Sequence, residues 1–463
     1  MSGPTAAGIV TSSHVSPRRV FQVVWGFERF GGLERHLAEL SIALHAHGTE
    51  VLVFTETAAD PRNAYVQRLR NSGITVSGAN ASAALAERLG RLPLGTLRPA
   101  LRKVAGVVHG IRSAVRPRQS GVPSLAATPA GHGVRRLIAG DEAVRRILVE
   151  RHHHPATVDL FARLDAATAR ARPDVVHVHG TQLRQSWVIA WAAARGLPTM
   201  YTEQVTIDEW GGPTEPTAVA TMIADAGVIA CVSDRARESA EQVLRGARTV
   251  VVVNQPVPGG STVSPISASG PLRVLCVARL ERYKGIDVLL QAAATAHAAG
   301  VDFELRLAGD GSERGALTRL AQQLRLTDVT FLGALPPEAV AAALQSADLM
   351  ILPSRGEGLP VSVVEAMAEG RPVLATTAGG TSEVVQNGVT GVLVDPDRPD
   401  QLAEALALLA ADRAGLQRMA HAARLAWETG GWSPEAVRTR VVALYREAAA
   451  RSRDAADTML QHR

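Results

Sequence analysis

Several residue types and patterns are scarce in this 463-residue sequence, and each scarcity excludes a class of protein. The two cysteines, Cys231 and Cys276, lie in apolar, strand-like runs, which argues against a disulfide or a metal site. No apolar run is long enough to span a bilayer, and the N-terminus lacks the charged-then-apolar order of a signal peptide. We therefore expect a protein of the reducing cytoplasm, with residues 1–18 as a disordered leader.

Aromatic residues make up only 4% of the chain, whereas 46% of it is hydrophobic and 20% is charged. These proportions are typical of a globular protein. The length exceeds what one hydrophobic core usually supports, so the sequence predicts two domains.

The net charge of +5 is concentrated in one segment. Residues 80–155 contain 13 Lys or Arg against 4 Asp or Glu. Within them, residues 98–118 have the pattern of a basic amphipathic helix, which can lie on an anionic membrane surface or pack as an ordinary surface helix. Both interpretations stay open, so peripheral contact with the inner face of a membrane is one prediction. No nucleic-acid partner is expected.

Strand-like and helix-like segments alternate through most of the chain, which predicts an α/β protein with parallel, doubly wound sheets. A Pro-, Gly- and Ser-rich stretch at 256–271 separates two such sets and is interpreted as a linker. We predict one domain at 19–255, with the basic insertion at 78–154, and a second at 272–428.

A terminal helical segment is predicted at 429–463. Ser433, Pro434 and Glu435 have the order of an N-cap, a first-turn proline and a first-turn acid. The last helix is therefore expected to begin there, and its pattern extends to about Arg451.

The stretch 353–380 is the most informative part of the sequence, because it follows a predicted strand at 349–352 and itself predicts a glycine-bearing loop, a helix and a second strand. Its two carboxylates, Glu357 and Glu365, lie before the helix and within it. The unpaired amides and the positive end of the dipole at a helix start can hold an anion between hydroxyl-binding carboxylates. A diphosphate flanked by two polyhydroxyl groups fits this arrangement. The residues predicted at the helix start are Gly358, Leu359, Pro360 and Val361.

Arg279 and Lys284 lie just after another predicted strand, where ligands of open α/β sheets bind. Two fixed cations there can hold a diphosphate and stabilise its charge as it leaves. Taken alone, the pair also fits two solvated side chains of a surface loop.

The first half of the chain offers weaker candidates. Gly31 and Gly32 follow the first strand, where they allow either a close approach to phosphate or a sharp turn. His179 ends a strand on the same side as His177, where it can reach a reacting sugar or serve a structural role. Asp395-Pro396-Asp397 fits a turn better than a metal site, and no metal or other cofactor is expected.

Together these residues resemble the retaining GT-B glycosyltransferases of the glycogen-synthase-like family 4, also described as glycosyl transferases group 1. The resemblance extends from about Val20 to Ala450 and is strongest between Arg273 and Val394. It implies two Rossmann-like domains that face each other across a cleft, with the nucleotide-sugar held mainly by the second domain and the last helices crossing back to the first. The residues that carry it are Gly31, Gly32, His179, Arg279, Lys284, Glu357 and Glu365.

The resemblance also implies a role for each of these positions. Arg279 and Lys284 would bind the diphosphate, Glu365 the nucleotide ribose and Glu357 the hydroxyls of the donor sugar. His179 would lie beside that sugar, and the two glycines would shape the facing wall of the cleft.

The implied activity is that of a hexosyltransferase that moves a sugar from a nucleotide-diphosphate sugar to an acceptor hydroxyl with retention of configuration. The acceptor would be a sugar, a lipid-linked or a small molecule, which fits envelope polysaccharide or glycoconjugate synthesis. Two alternatives on the same fold stay open: a nucleotide-sugar epimerase and a non-catalytic sugar-binding subunit. A phosphorylase is a poor fit, because its cofactor needs a lysine and Lys103 is the only one besides Lys284.

Overall fold

The structure is a computed structural model, and it describes residues 16–27, 31–79, 155–180, 183–204, 223, 226–244, 250–260 and 262–461. The predicted basic helix at 98–118 and nearly all of the predicted insertion lie outside the described residues. Most of the predicted leader lies outside them as well.

The first described sheet contains seven strands in the order β3-β2-β1-β4-β5-β6-β7, and all its neighbours pair in parallel. Buried, mostly apolar runs form these strands because both faces of a parallel sheet are covered by helices. The strands are β1 Arg19–Val24, β2 Glu50–Thr55, β3 Thr75–Ser77, β4 Val175–Gly180, β5 Thr199–Glu203, β6 Val228–Cys231 and β7 Val250–Val252.

The second sheet contains six strands in the order β10-β9-β8-β11-β12-β13, again all parallel. The predicted doubly wound α/β architecture is therefore confirmed. The strands are β8 Leu272–Val277, β9 Phe303–Ala308, β10 Val329–Gly333, β11 Leu349–Leu352, β12 Val373–Thr376 and β13 Gly391–Val394.

Helices connect the strands and cover both sheets. In the first half they are α1 Gly32–Ala46, α2 Ala64–Asn71, α3 Pro155–Arg170, α4 Leu183–Ala193 and α5 Asp234–Leu244. In the second half they are α6 Ile286–Ala298, α7 Arg314–Gln323, α8 Pro337–Gln345, α9 Val361–Ala368, α10 Thr381–Val384, α11 Pro399–Ala411, α12 Arg413–Thr429 and α13 Pro434–Gln461.

Local sequence explains several helix boundaries. The Asn63 side chain accepts hydrogen bonds from the amides of Tyr65 and Val66 and caps α2. Ser433 caps α13 in the predicted way, since its hydroxyl oxygen accepts from the amide of Ala436 at 3.2 Å. The predicted end of this helix near Arg451 is wrong, because α13 extends to Gln461.

The last helix, α13, returns to the first sheet. Val437, Val441, Leu444 and Tyr445 are buried in the same apolar cluster as Val20 of β1. The chain therefore forms the second sheet first and then returns to complete the core of the first sheet.

Each sheet reverses its strand order once, between β1 and β4 in the first and between β8 and β11 in the second. In open α/β sheets, the loops at the carboxyl ends of the strands diverge at such a point and leave a crevice for a ligand. These two places position the candidate site.

We predict that Leu444→Ala will lower the free energy of unfolding by about 2–5 kcal/mol, because it leaves a cavity between α13 and the first sheet. The measurement is urea unfolding. Leu408→Ala is the matched control, since Leu408 is 65% exposed and its loss should change stability by less than about 0.5 kcal/mol. Equal effects of the two variants would show that α13 is not docked as described.

Candidate functional site

The second sheet brings Lys284 and Glu357 together from the loops after β8 and β11. The Lys284 Nζ atom lies 2.6 Å from Glu357 Oε1, and the Ser354 hydroxyl donates to the same oxygen at 2.6 Å. Both charged side chains are largely buried, so each compensates the charge of the other where water cannot. The two predicted ligand-binding residues thus form one pair at the switch point.

Two glycines allow these loops to pass close to each other. Gly285 has φ +66°, and a Cβ atom there would collide with the carbonyl oxygen of Pro353. Gly379 has φ +57°, and its Cβ would collide with the carbonyl oxygen of Glu357. Because both residues occupy the left-handed region, a side chain would be strained as well as obstructed.

Arg355 ties the same loops together and was missed as a site residue by the sequence analysis. Its guanidinium makes two hydrogen bonds to Asp287, at 2.9 and 2.8 Å, and one to Asp397 at 2.6 Å. It also donates to the carbonyl oxygen of Arg282 at 2.6 Å. The hydrogen bond to Asp287 raises the pKa of Arg355 above its ordinary value. The glycine-bearing loop is therefore fixed on the loop that carries Lys284.

Tyr283 is a second residue that sequence reasoning missed. It lies between the two predicted cations, with Arg279 Cζ 5.5 Å and Lys284 Nζ 5.0 Å from its ring centroid. The Arg279 guanidinium also donates a hydrogen bond to the Tyr283 hydroxyl. A cation over an aromatic face is attracted by the ring quadrupole, so Tyr283 interacts favourably with both charges.

The predicted anion-binding turn precedes α9. Pro360 is the N-cap of this helix, which begins at Val361 and so within the predicted helix start. The amide of Val363 donates to the Pro360 carbonyl at 3.0 Å, so the amides of Val361 and Ser362 come before the first hydrogen bond of the helix. Gly358 and Leu359 lead into this turn.

Glu365 lies one turn into α9 and forms an ion pair with Arg35 of α1. Arg35 belongs to the first half of the chain, so this pair joins the helices that follow β1 and β11. Burial lowers the pKa of Arg35 from its ordinary value. The predicted ribose-binding carboxylate therefore already has a cationic partner from the opposite side.

The predicted glycine pair lies at the start of α1. Gly31 has an extended backbone, with φ −142° and ψ +171°. A Cβ at Gly32 would lie 2.9 Å from Val361 Cγ2, so the absence of a side chain lets α1 and α9 approach each other. The close contact between these two helices therefore explains the need for a glycine at position 32.

His179 lies at the carboxyl end of β4, at the switch point of the first sheet, and is fully buried. Its ring lies against His177, with centroids 3.9 Å apart, so the prediction that the two share one side of the strand is confirmed. The Nε2 atom of His179 lies 2.5 Å from Gln22 Oε1. Burial lowers the pKa of both histidines well below the ordinary range, which keeps them neutral.

His36 of α1 extends this polar group, and it is not among the site residues predicted from the sequence. Its ring centroid lies 5.4 Å from that of His179. Its Nδ1 atom lies 2.7 Å from Gln255 Oε1, and the Gln255 amide donates to Gln204 Oε1 at 2.7 Å. Burial lowers the pKa of His36 to about 4.

The structure thus places the predicted residues at three positions. Arg279, Lys284 and Glu357 lie together on the second sheet, whereas His179 lies on the first. Glu365 and Gly32 lie where α1 and α9 meet. Among the described residues, no three His, Cys, Asp or Glu side chains are grouped as metal ligands. No helix within the described ranges could cross a membrane.

We predict that His36→Asn will reduce the loss of stability on acidification. Below about pH 6.5 the unfolded chain binds a proton at this histidine that the folded chain does not, because burial lowers the folded pKa to about 4. The contribution of neutral His36 is therefore full above this pH and is lost as the pH falls toward 4. Between pH 7.5 and 5.5 the loss is about 1.3 kcal/mol.

The measurement is the free energy of unfolding in urea at both pH values. Asn can keep the hydrogen bond to Gln255 but does not titrate. His297→Asn, at an exposed position of α6, serves as the control and should retain the wild-type pH dependence. An unchanged dependence in His36→Asn would contradict the buried neutral state.

The second half of the chain is similar in sequence to known proteins. Residues 264–426 match the family model described as "Glycosyl transferases group 1". A stretch of 165 residues is 40% identical to D-inositol 3-phosphate glycosyltransferase of Corynebacterium urealyticum, covering 33% of this chain and 39% of that protein. Another of 176 residues is 33% identical to alpha-D-kanosaminyltransferase of Streptomyces kanamyceticus, covering 38% and 45%. The matched stretch thus spans less than half the length of these relatives.

Two solved structures resemble the chain over almost its whole length. Anabaena HepE in complex with UDP and glucose superposes with a TM-score of 0.66 at 16% identity, covering 92% of this chain and 99% of that one. Sucrose-phosphate synthase from Thermosynechococcus elongatus gives 0.66 at 18% identity, covering 94% and 99%. These likenesses show the fold, and the two parallel sheets have the predicted GT-B arrangement.

Proposed function

We propose that the protein is a retaining glycosyltransferase of family 4 that transfers a sugar from a nucleotide-diphosphate sugar to a hydroxyl of an acceptor. The observation that carries this proposal is the buried Lys284–Glu357 pair at the carboxyl ends of β8 and β11. A buried cation and carboxylate at a switch point are placed to bind an anionic group next to a hydroxylated one.

The matched family region supports the assignment of the donor. It covers residues 264–426 and so includes Arg279, Lys284, Glu357 and Glu365. Two similar structures are described as containing UDP with glucose, or UDP-glucose, which makes a nucleotide-diphosphate sugar the donor class that we propose. The curated relatives are described as glycosyltransferases.

In the proposed complex, the diphosphate lies against Arg279, Lys284 and the amides at the start of α9. Glu357 accepts hydrogen bonds from hydroxyls of the donor sugar, and Glu365 accepts them from the ribose. Gly358, Leu359, Pro360 and Val361 form the turn that faces the diphosphate. A fixed set of donors and cations of this kind needs no reorganisation as charge develops.

The proposed reaction breaks the bond between the anomeric carbon and the phosphate oxygen. The acceptor oxygen bonds to the anomeric carbon on the same face, and its proton passes to the departing phosphate. Arg279 and Lys284 then stabilise the negative charge of the leaving nucleotide, and His179 lies beside the sugar. Gly31 and Gly32 shape the wall across from the diphosphate. No metal takes part in this scheme.

The acceptor in this proposal is a sugar, a lipid-linked or a small hydroxylated molecule, in the synthesis of an envelope polysaccharide or a glycoconjugate. One relative is described as a putative colanic acid biosynthesis glycosyltransferase of Escherichia coli, which supports this context. We further propose a cytoplasmic enzyme. Peripheral membrane contact through residues 98–118 stays a proposal that rests on the sequence alone.

We expect Glu357→Gln and Lys284→Met each to lower transfer at least about a hundredfold, because each removes a contact to the group whose charge or shape changes in the transition state. Transfer is measured as nucleotide release with a hydroxylated acceptor. Glu404→Gln, on an exposed position of α11, controls for the loss of a carboxylate. Turnover at the wild-type rate in both site variants would rule out the assigned site.

We expect one group of UDP-, GDP-, ADP- or dTDP-sugars to raise the melting temperature, since a ligand stabilises the folded state according to its occupancy. Lys284→Met should abolish this shift, whereas Glu404→Gln should keep it. Donor consumption without an acceptor and with recovery of an isomeric sugar would favour the epimerase alternative. No shift with any donor would contradict the proposed donor class.

A further inference from the structure

The hydrogen bond between Gln22 and His179 determines which nitrogen of the histidine carries the proton. His179 Nε2 lies 2.5 Å from the amide oxygen of Gln22, and both side chains are fully buried. An amide oxygen only accepts hydrogen bonds, so in this orientation of the Gln22 amide Nε2 is the protonated nitrogen. The neighbouring strands β1 and β4 hold the two residues, because Gln22 pairs in register with His177.

Tyr445 in turn determines the orientation of Gln22. The Gln22 amide nitrogen donates to the Tyr445 hydroxyl at 3.1 Å, and that hydroxyl lies 2.8 Å from His177 Nδ1. His177 Nε2 lies 2.7 Å from the Thr202 hydroxyl oxygen. A consistent assignment has Tyr445 accepting from Gln22 and donating to His177 Nδ1, and His177 donating from Nε2 to Thr202. Rotation of the Gln22 amide by half a turn would exchange donor and acceptor in every one of these hydrogen bonds.

The remaining nitrogen of His179 is left as a hydrogen-bond acceptor. Among the described residues, its Nδ1 atom has no hydrogen-bond partner although it is buried. Burial lowers the pKa of the ring, so Nδ1 carries a lone pair and not a second proton. Burying a polar atom without a partner is unfavourable, so this lone pair is a place where a ligand hydrogen bond gains stability.

His36 repeats the same arrangement from α1. Its Nδ1 atom faces Gln255 Oε1 at 2.7 Å and must donate, while its Nε2 atom has no partner among the described residues. Two neutral rings 5.4 Å apart therefore each carry an unsatisfied acceptor. Acceptors of this kind bind hydroxyl hydrogens and repel phosphate oxygens.

We propose that Gln22 and Tyr445 are positioning residues that hold His179 as the Nε2–H tautomer, so that its Nδ1 lone pair accepts a hydrogen bond from a sugar hydroxyl. The role of the lone pair in transfer rests on the proposed function. The tautomer does not, because it follows from the orientation of the Gln22 amide and not from a bound ligand.

The tautomer is tested by long-range ¹H–¹⁵N correlation spectra of histidine-labelled full-length protein near pH 7. The His179 signals are assigned by their loss in His179→Asn. We expect a neutral ring with the proton on Nε2, shifted downfield by the short bond to Gln22 and slow to exchange with solvent. A proton on Nδ1, or a doubly protonated ring, would overturn the proposal from the wild-type spectrum alone.

Variants test whether Gln22 and Tyr445 impose this state. Gln22→Met keeps the length of the side chain but removes both polar atoms, so the Nε2 proton should move upfield and exchange faster. Tyr445→Phe should produce the same change at smaller amplitude, since it removes only the hydroxyl. Tyr201→Phe is the matched control. It also removes a buried hydroxyl, from the adjacent strand β5, but that hydroxyl donates to Glu203 and takes no part in the hydrogen bonds between Gln22, Tyr445 and His177. An unchanged Nε2 proton in Gln22→Met would reject the positioning role.

Kinetics then separate this inference from the proposed function. Gln22→Met should lower kcat by roughly two- to tenfold, the effect of one lost hydrogen bond, with the donor KM within about twofold of wild type. A changed donor KM with constant kcat would contradict a role at the reacting centre. Nε2 protonation without transfer from any donor would reject the proposed function and leave the tautomer established.

Discussion

The candidate site depends on one electrostatic constraint, which is that the buried carboxylate of Glu357 needs a cation beside it. Leaving a buried charge unpaired costs several kcal/mol, so the loop that carries Lys284 must lie within hydrogen-bond distance of the loop that carries Glu357. The parallel register of β8 and β11, with Val274 opposite Leu349, brings the two loops to the same edge of the sheet. Arg355 and the two left-handed glycines then let them pack closely.

The two sheets achieve polar burial in different ways. At its switch point the second sheet buries the oppositely charged pair Lys284 and Glu357. At its own switch point the first sheet buries neutral side chains linked by hydrogen bonds, which are Gln22, His177, His179 and Tyr445. Neutral groups are cheaper to bury than charges, but every donor must meet an acceptor. This difference fits a ligand with one charged part and one hydroxylated part, in the orientation that we propose for the donor.

The sequence allowed prediction of the sheets, because the periodicity that distinguishes strands from helices is a local property. The shared face of His177 and His179 followed from the strand period of two. The end of α13 could not be predicted in this way. Residues 452–461 contain neither glycine nor proline to stop a helix, and no stop signal supported the predicted end at Arg451.

The residues that form hydrogen bonds with one another within the site could not be predicted from the sequence, for another reason. Gln22 and Tyr445 are separated by 423 positions in the chain, and Arg355 and Asp287 by 68. Pairings of this kind depend on the order of the strands and on how the last helix returns to the first sheet. A single sequence shows residue types that can pair, such as an arginine and an aspartate, but not which of them meet.

The contact between α1 and α9 links the two halves of the site. Two helix starts that face each other bring like partial charges together, and this is unfavourable unless side chains compensate. The ion pair between Arg35 and Glu365 supplies that compensation, and Gly32 leaves the space for it beside Val361. A carboxylate has two oxygens and accepts several hydrogen bonds, and Arg35 is paired with Oε1. In the proposed complex Glu365 therefore keeps Arg35 as its partner while it accepts hydrogen bonds from the ribose, so one carboxylate both joins α1 to α9 and holds the nucleotide.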